Sequence, residues 1–251
     1  MSSSQTVAGL HSVRTALKHG PESILEVWVE GARKQDRRVR EVIGLARESR
    51  IPLNYVSREQ LDEITDGSNH QGVAARTLAP AALDEQDLQA LLSKLDRPPL
   101  LLVLDGVQDP HNLGACLRSA DATGVDAVIA PKDRSVRLTP TACKVASGAA
   151  ESVPFIQVTN LVRTLKQLQS EHRVWLVGTA GEAESSLFAA DLTGPLGIVM
   201  GGEEKGMRRL TRECCDLLVR LPMAGAVESL NVSVASGVCL YEALRQRGPG
   251  A

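Results

Sequence analysis

The stretch Leu100-Leu-Leu-Val-Leu-Asp105 decides the fold of the longer part of the chain. Its apolar residues follow one another without the alternation of a half-exposed strand, and an acidic residue ends the run. Such a run is typical of a central parallel strand that is buried on both faces. Similar strand-like runs follow at residues 126–131, 155–158, 174–179, 196–200 and 217–221.

Stretches with helical spacing separate these strands. We predict helices over residues 113–122, 139–149, 161–169 and 207–213, and a final helix from Ser229 to Arg247 with Ser229 as its N-cap. Strands that alternate with helices predict an α/β fold with a mainly parallel sheet covered on both faces.

The first eighty residues predict a smaller α/β domain. Val7, Leu10, Val13 and Leu17 recur at helical spacing, and Ile24 to Val29 reads as a strand. A basic segment follows, in which one helix face carries Val39, Val42, Ile43 and Ala46. Strand-like segments at 52–56 and 73–76 complete the sheet, and Ser57 is a candidate N-cap. We expect a domain over residues 1–77, a linker with a docked helix over 78–98, and a second domain over 99–251.

Composition excludes several classes of protein. The 251 residues are 43% hydrophobic and 23% charged, which is ordinary for a globular protein and unlike a disordered one. The five cysteines form no C-x-x-C pair, so neither a disulfide framework nor a four-ligand zinc site is indicated. No apolar run is long enough to span a bilayer, and the first residues lack a secretion pattern. We therefore expect a cytoplasmic protein without a membrane partner.

The charge distribution favours a nucleic-acid partner more than the net charge of −2 does. Residues 31–50 hold seven Lys and Arg against three Asp and Glu. Two further basic clusters are Lys205, Arg208, Arg209 and Arg212, and Lys132, Arg134, Arg137 and Lys144. Each cluster alone reads as a solvated helix face, but three together indicate contacts with phosphates.

Three loops after predicted strands carry candidate chemistry, because ligands of open α/β sheets bind beyond the carboxyl ends of the strands. The first loop, within 105–118, reads DGVQDPHNLGACLR. The second, within 199–206, reads VMGGEEKG, and its adjacent glycines allow a ligand close to the backbone. The third, within 221–233, reads LPMAGAVESLNVS and leads into the final helix. None of the three matches a dinucleotide fingerprint or a P-loop.

In this order, the three loops resemble motifs one, two and three of the SpoU (TrmH-like) branch of the SPOUT RNA methyltransferases. Residues 9–17 and 69–75 resemble the N-terminal RNA substrate-binding domain of this family, which is similar to ribosomal protein L30e. The resemblance covers nearly the whole chain. It implies a C-terminal α/β domain with a deep trefoil knot, a homodimer through that domain, and methylation of a guanosine 2′-hydroxyl in 23S rRNA.

The resemblance also assigns roles to residues. It implies S-adenosylmethionine (AdoMet) as methyl donor, no metal, and cofactor contacts from Gly201, Leu221, Met223 and Leu230. It assigns the catalytic positions to Asn112, Arg118, Glu203, Ser229 and Asn231. A guanidinium is a poor proton acceptor at neutral pH. We therefore expect Arg118 to act as a cation that stabilises the developing alkoxide, and the other polar residues to orient it and the ribose.

Two main alternatives and one weaker alternative stay open at this stage. Within the same class, the chain could methylate tRNA or a different rRNA nucleotide. From another class, it could be an RNA-binding protein without catalysis, although the complete set of polar residues in the three motifs speaks against that. An NAD-dependent dehydrogenase is a weak alternative, because the G-x-G-x-x-G fingerprint is missing.

Overall fold

The computed structural model of the chain describes residues 4–78, 83–203 and 205–248. The chain folds into two compact units, one formed by Met1–Ala81 with Cys143–Ser152, and the other by Ala82–Ala142 with Val153–Ala251. Residues 79–82, near the start of the predicted linker, and Glu204 of the second loop lie outside the described residues. Within the described part of the chain, no helix is long and apolar enough to cross a membrane.

The first unit contains a four-stranded sheet with the strand order β1-β4-β2-β3. Its strands are β1 (Ser4–Ala8), β2 (Ile24–Glu30), β3 (Leu53–Val56) and β4 (Val73–Leu78). Its first helices are α1 (Leu10–His19), α2 (Arg37–Glu48) and α3 (Arg58–Ile64). Strands β2 and β3 are parallel, and the other pairs are antiparallel. The predicted small α/β domain is confirmed.

The helix boundaries of this unit follow local side-chain chemistry. The apolar face of α2 is buried as predicted, and Asp36 caps the helix by accepting from the Arg38 N–H. Ser57 caps α3 and forms a capping box with Gln60, which confirms the predicted N-cap.

The helical interpretation of Val7 is wrong. Val7 lies in β1, opposite Ala75 of β4, and α1 begins only at Leu10. Gly9 separates the two elements with a φ of 101°, which a residue with a side chain rarely adopts, and its N–H donates to the Val73 carbonyl. Spacing alone could not reveal this break, because Val7 fits the helical period.

The second unit contains a seven-stranded sheet with the order β7-β6-β5-β10-β8-β11-β9. All its strand pairs are parallel. The strands are β5 (Leu100–Asp105), β6 (Ala127–Pro131), β7 (Phe155–Val158), β8 (Trp175–Thr179), β9 (Ser185–Ser186), β10 (Leu196–Gly201) and β11 (Leu217–Arg220). The remaining helices of the chain are α4 (Glu85–Leu92), α5 (Pro110–Ala122), α6 (Pro140–Ala146), α7 (Ala149–Ser152), α8 (Leu161–His172), α9 (Arg209–Glu213) and α10 (Val232–Arg247). The predicted parallel α/β fold is confirmed, although the short strand β9 was not predicted.

Strand β5 lies inside this sheet and is buried along its whole length. Leu101 and Val103 face a core that also contains leucines of α4 and α8. The alternation of side chains along a strand places Leu102 and Leu104 on the opposite face. There α5 and α10 pack on each other and on β6 and β10. The uninterrupted apolar run at 100–104 is therefore explained by burial on both faces.

The predicted helix over 139–149 is interrupted. It consists of α6 and α7, separated by Ser147 and Gly148, whose φ angles are 54° and 97°. A Cβ on Gly148 would lie 3.1 Å from the Cβ of Thr15, so α1 packs directly on this backbone. Part of this segment, Cys143–Ser152, belongs to the first unit.

Two predicted helix starts are also wrong. Helix α10 begins at Val232, and its N-cap is Asn231 rather than Ser229, because the Asn231 side chain accepts the Ser233 N–H at 2.9 Å. Helix α5 begins at Pro110 instead of residue 113, with Asp109 as N-cap. Proline at the first helical position is favoured, because its missing N–H would have no helical partner there.

Candidate active site

A cavity of about 270 Å³ lies at the carboxyl ends of β8, β10 and β11. This is the edge at which ligands of parallel sheets bind. The cavity is lined by Gly201, Leu221, Met223 and Leu230, the four residues predicted to hold the cofactor. Two of the predicted catalytic residues, Glu203 and Ser229, line it as well. The second and third loops therefore meet at one site, as the sequence predicts.

The glycines of the second loop are required by close backbone contacts. A Cβ on Gly201 would lie 2.1 Å from the carbonyl carbon of Gly206, and one on Gly202 would lie 2.6 Å from the carbonyl oxygen of Gly106. Contacts this short cannot be relieved by a side-chain rotation, because the atoms that collide belong to the backbone. The loop is therefore folded tightly back on the end of β10.

Polar side chains from all three loops form one hydrogen-bonded chain beside the cavity. Asn112, buried near the start of α5, donates its Nδ2 to Glu203 Oε1 at 2.5 Å. Its Oδ1 accepts from Asn231 Nδ2 at 3.0 Å. Asn231 Oδ1 in turn accepts from the Ser233 hydroxyl at 2.6 Å and from the Ser233 N–H. We call the four residues Glu203, Asn112, Asn231 and Ser233 the Asn112 relay.

The chemistry of the end groups fixes the direction of every bond in the Asn112 relay. The Ser233 N–H at the start of α10 only donates, so Asn231 must turn its oxygen toward Ser233 and its NH₂ toward Asn112. Asn112 then accepts with its oxygen, which leaves its NH₂ to donate to Glu203. Both amide orientations therefore follow from the network.

The remaining predicted catalytic residue, Arg118, is not hydrogen-bonded to the Asn112 relay. It is exposed on α5, and its guanidinium makes no hydrogen bond or ion pair with any residue that the structure describes. Glu203 accepts from Asn112 and not from an arginine. The structure thus brings Asn112, Glu203, Ser229 and Asn231 to one site and leaves the Arg118 cation free.

A further loop, which was not predicted from the sequence, also lines the cavity. Thr179, Ala180 and Gly181, at the end of β8, line it together with Arg220. Arg220 Nη1 donates to the carbonyl of Ala183 at 2.6 Å and to that of Glu184 at 3.0 Å, which holds this loop beside β11. The signal was available, since a glycine follows a predicted strand here as well.

The buried cysteines contribute neutral thiols. Burial raises the pKa of Cys116, on α5, to about 11, and its Sγ donates to Ser236 Oγ on α10 at 3.6 Å. Burial likewise raises the pKa of Cys215 to about 12. A thiol rather than a thiolate at neutral pH packs as a small apolar group and is a poor nucleophile. Among the described residues there is also no group of three His, Cys, Asp or Glu side chains that could hold a metal ion.

Family models match both parts of the chain. Residues 99–241 match the SpoU rRNA Methylase family, and residues 6–81 match the family described as RNA 2'-O ribose methyltransferase substrate binding.

Individual relatives match along almost the full length. The 23S rRNA (guanosine-2'-O-)-methyltransferase RlmB of Shewanella oneidensis is 55% identical, over 98% of this chain and 99% of its own. The protein of the same name from Escherichia coli is 54% identical, over 97% and 99%. Among solved structures, the SpoU methyltransferase AviRb of Streptomyces viridochromogenes, in complex with AdoMet, has a TM-score of 0.75 at 26% identity, over 96% of this chain and 89% of that one. The chain belongs to the SpoU rRNA methylase family.

Proposed function

We propose that this protein transfers the methyl group of AdoMet to the 2′-oxygen of a guanosine ribose in 23S rRNA. The observation that carries the proposal is the position of the Asn112 relay, whose Glu203 lines the same cavity as the four predicted cofactor residues. Relatives at 54–55% identity over nearly the whole chain, named for this reaction, support it.

The residues around the cavity fit AdoMet. Leu221, Met223 and Leu230 offer apolar surface for an adenine ring, and the backbone of Gly201 lines the same cavity. Glu203 and Glu228 place carboxylates at the same cavity, which suits a ligand that carries a sulfonium and an ammonium group. When bound, AdoMet supplies a methyl group that is already activated for transfer.

The task of the protein is then to orient a weakly acidic hydroxyl and to stabilise the negative charge that develops on it. The Asn112 relay fixes Glu203 and the start of α10 in space. The free guanidinium of Arg118 is the cation available on α5 for the alkoxide, with an RNA phosphate as proton acceptor. Ser229 lies at the cavity with its hydroxyl available to orient the ribose.

The first unit supplies the contact with RNA. Residues 6–81 match a substrate-binding family, and α2 exposes Arg37, Arg38 and Arg40. No ion pair within the described residues involves these three arginines. Unpaired cations of this kind bind phosphates without reading the base sequence.

The second unit carries the surface of a homodimer. One side of α10 packs on α5, but the other side exposes Val234 (52%) and Tyr241 (55%), with Leu244 one turn further on. These positions recur at helical spacing and form an apolar stripe that a second copy of the chain would cover.

Three further properties stay predictions, the first from family membership and the other two from the sequence. They are the trefoil knot in the C-terminal domain, a cytoplasmic location, and the division into residues 1–77, 78–98 and 99–251. The family matches support the division, since one ends at residue 81 and the other begins at residue 99.

The first test is cofactor binding. Titration of the protein with AdoMet in a calorimeter, in the presence of EDTA, is expected to show binding at one site per chain. Transfer of labelled methyl groups to 23S rRNA fragments should proceed in the same buffer, because we expect no metal to take part. Loss of binding upon chelation, or tight binding of NAD instead, would contradict the proposal.

The second test concerns Arg118. Arg118→Ala should lower methyl transfer at least about 100-fold, because the alkoxide loses its cation. The dissociation constant for AdoMet should stay within about threefold, since Arg118 is not among the residues lining the cavity. Arg118→Lys should restore little, because an ammonium lacks the planar fork that holds a hydroxyl and a phosphate together. Arg163→Ala, on the exposed face of α8, is the control. Near-normal turnover of Arg118→Lys would refute the proposed need for a planar guanidinium at this position.

The third test concerns α2. Replacing Arg37 and Arg38 with Gln should weaken RNA binding and lower the slope of log K against log salt by up to about one unit per lost contact. A control with the same change of net charge replaces Arg163 and Lys166 on α8 with Gln. Titrations of RNA at several salt concentrations measure both variants. An unchanged slope in the α2 variant would show that this face is ordinary surface.

The fourth test concerns the apolar stripe of α10. Sedimentation equilibrium should give twice the chain mass of 26.8 kDa for the unmodified protein. Val234→Asp with Tyr241→Asp should shift the mass to that of one chain, because two buried carboxylates would oppose association. Leu210→Asp, which changes a similarly exposed leucine on α9, should leave the dimer intact. A monomeric unmodified protein would remove the basis for this interface.

A further inference from the structure

The loop that carries Glu203 is tied at both ends to one residue, Asp105, which ends β5. At the start of the loop, the Gly202 N–H donates to the Asp105 carbonyl oxygen at 3.0 Å. At its end, the Arg208 N–H donates to the Asp105 carboxylate at Oδ2, 2.8 Å away. The main chain and the side chain of a single residue therefore hold Gly202 and Arg208, the two ends of this loop.

The Asp105 side chain has no exposed surface, so its charge must be compensated inside the protein. The nearby cation is the Arg208 guanidinium, whose Nε lies 3.5 Å from Oδ1. Oδ1 itself has no hydrogen-bond partner among the described residues. Arg208 thus makes two interactions with the Asp105 carboxylate. Its backbone N–H donates a hydrogen bond to Oδ2, and its guanidinium forms an ion pair with Oδ1.

The Arg208 guanidinium is also held from its other side. It is 42% exposed, and its Nη2 donates to the carbonyl oxygen of Asp133 at 3.2 Å. This contact fixes the arginine between the end of β5 and the loop that follows β6. The guanidinium therefore cannot turn away from Asp105 without losing a second interaction.

We propose that Asp105 and Arg208 are positioning residues whose ion pair holds loop 202–208 in the shape that cofactor binding requires. Neither residue lines the cavity, so both act through Gly201, Gly202 and Glu203. The backbone of Met207, the residue before Arg208, lies directly against Gly201, so a shift of Arg208 would be passed to Gly201. The proposal rests on the assignment of the cavity as the AdoMet site.

The test is Asp105→Asn, which keeps the shape of the side chain and an acceptor for the Arg208 N–H but removes the charge. We expect the KM for AdoMet to rise at least about tenfold, because one partner of a buried ion pair is lost. The KM for RNA should stay within about twofold. Asp133→Asn is the matched control, since it also removes one negative charge while only its backbone carbonyl contacts Arg208. Its KM values should not change.

Hydrogen exchange of the protein without AdoMet supplies a readout that does not depend on activity. In Asp105→Asn, the amides of Gly202 and Arg208 should exchange at least about tenfold faster than in the unmodified protein, because both bonds to residue 105 open more often once the ion pair with Arg208 is lost. If the unmodified protein fails to bind AdoMet, the proposed function is wrong, and the exchange rates still decide whether the ion pair holds the loop.

A second variant covers the possibility that Asp105→Asn does not fold. Arg208→Gln changes a partly exposed side chain and keeps the backbone N–H, and it should also raise the KM for AdoMet while the melting temperature stays close to that of the unmodified protein. A folded Asp105→Asn or Arg208→Gln variant whose KM for AdoMet lies within twofold of the unmodified value would overturn the proposal.

Discussion

The side chain of Asn112 joins parts of the chain that are far apart in sequence. Its amide binds Glu203, 91 positions away, and Asn231, 119 positions away. An amide suits this position because it offers a donor to the carboxylate and an acceptor to the second amide at the same time. The buried position of Asn112 makes both bonds expensive to lose, since each would leave an unpaired polar group. The arrangement of the site therefore depends on this one residue.

The fold could be predicted from the sequence where burial sets the pattern. The run at 100–105 indicated a central strand, and the apolar face of α2 was identified residue by residue. The errors lie where one backbone angle or one cap decides the outcome. Gly9 and Gly148 break helical patterns that continue on both sides of them, and Asn231 rather than Ser229 caps α10. Periodicity carries no information about a positive φ. It also does not show which of two neighbouring polar residues accepts a backbone N–H of the helix as its N-cap.

The sequence predicted the positions of the loops at the candidate site but not the contacts between their side chains. The second and third loops could be placed at one cavity because parallel strands bring their carboxyl ends to the same edge of the sheet. The hydrogen bonds of the Asn112 relay could not be predicted from the sequence, since they depend on distances between side chains. The role of Asp105 was equally hidden, because an acidic residue at the end of a strand usually reads as the beginning of a turn. Only its complete burial and its contacts with Gly202 and Arg208 distinguish it.

The structure separates the basic residues of the sequence into paired and unpaired ones. In the cluster around α9, Arg208, Arg209 and Arg212 form ion pairs with Asp105, Glu213 and Glu182, so most of its cations are already paired within the chain. In α2, Arg37 and Arg38 have no such partners within the described residues, and neither has Arg118 on α5. A count of charges along the sequence does not distinguish paired arginines from unpaired ones. Since an unpaired, exposed guanidinium keeps its full capacity for phosphate, the arginines of α2 and Arg118 of α5 are the residues that we propose to contact RNA.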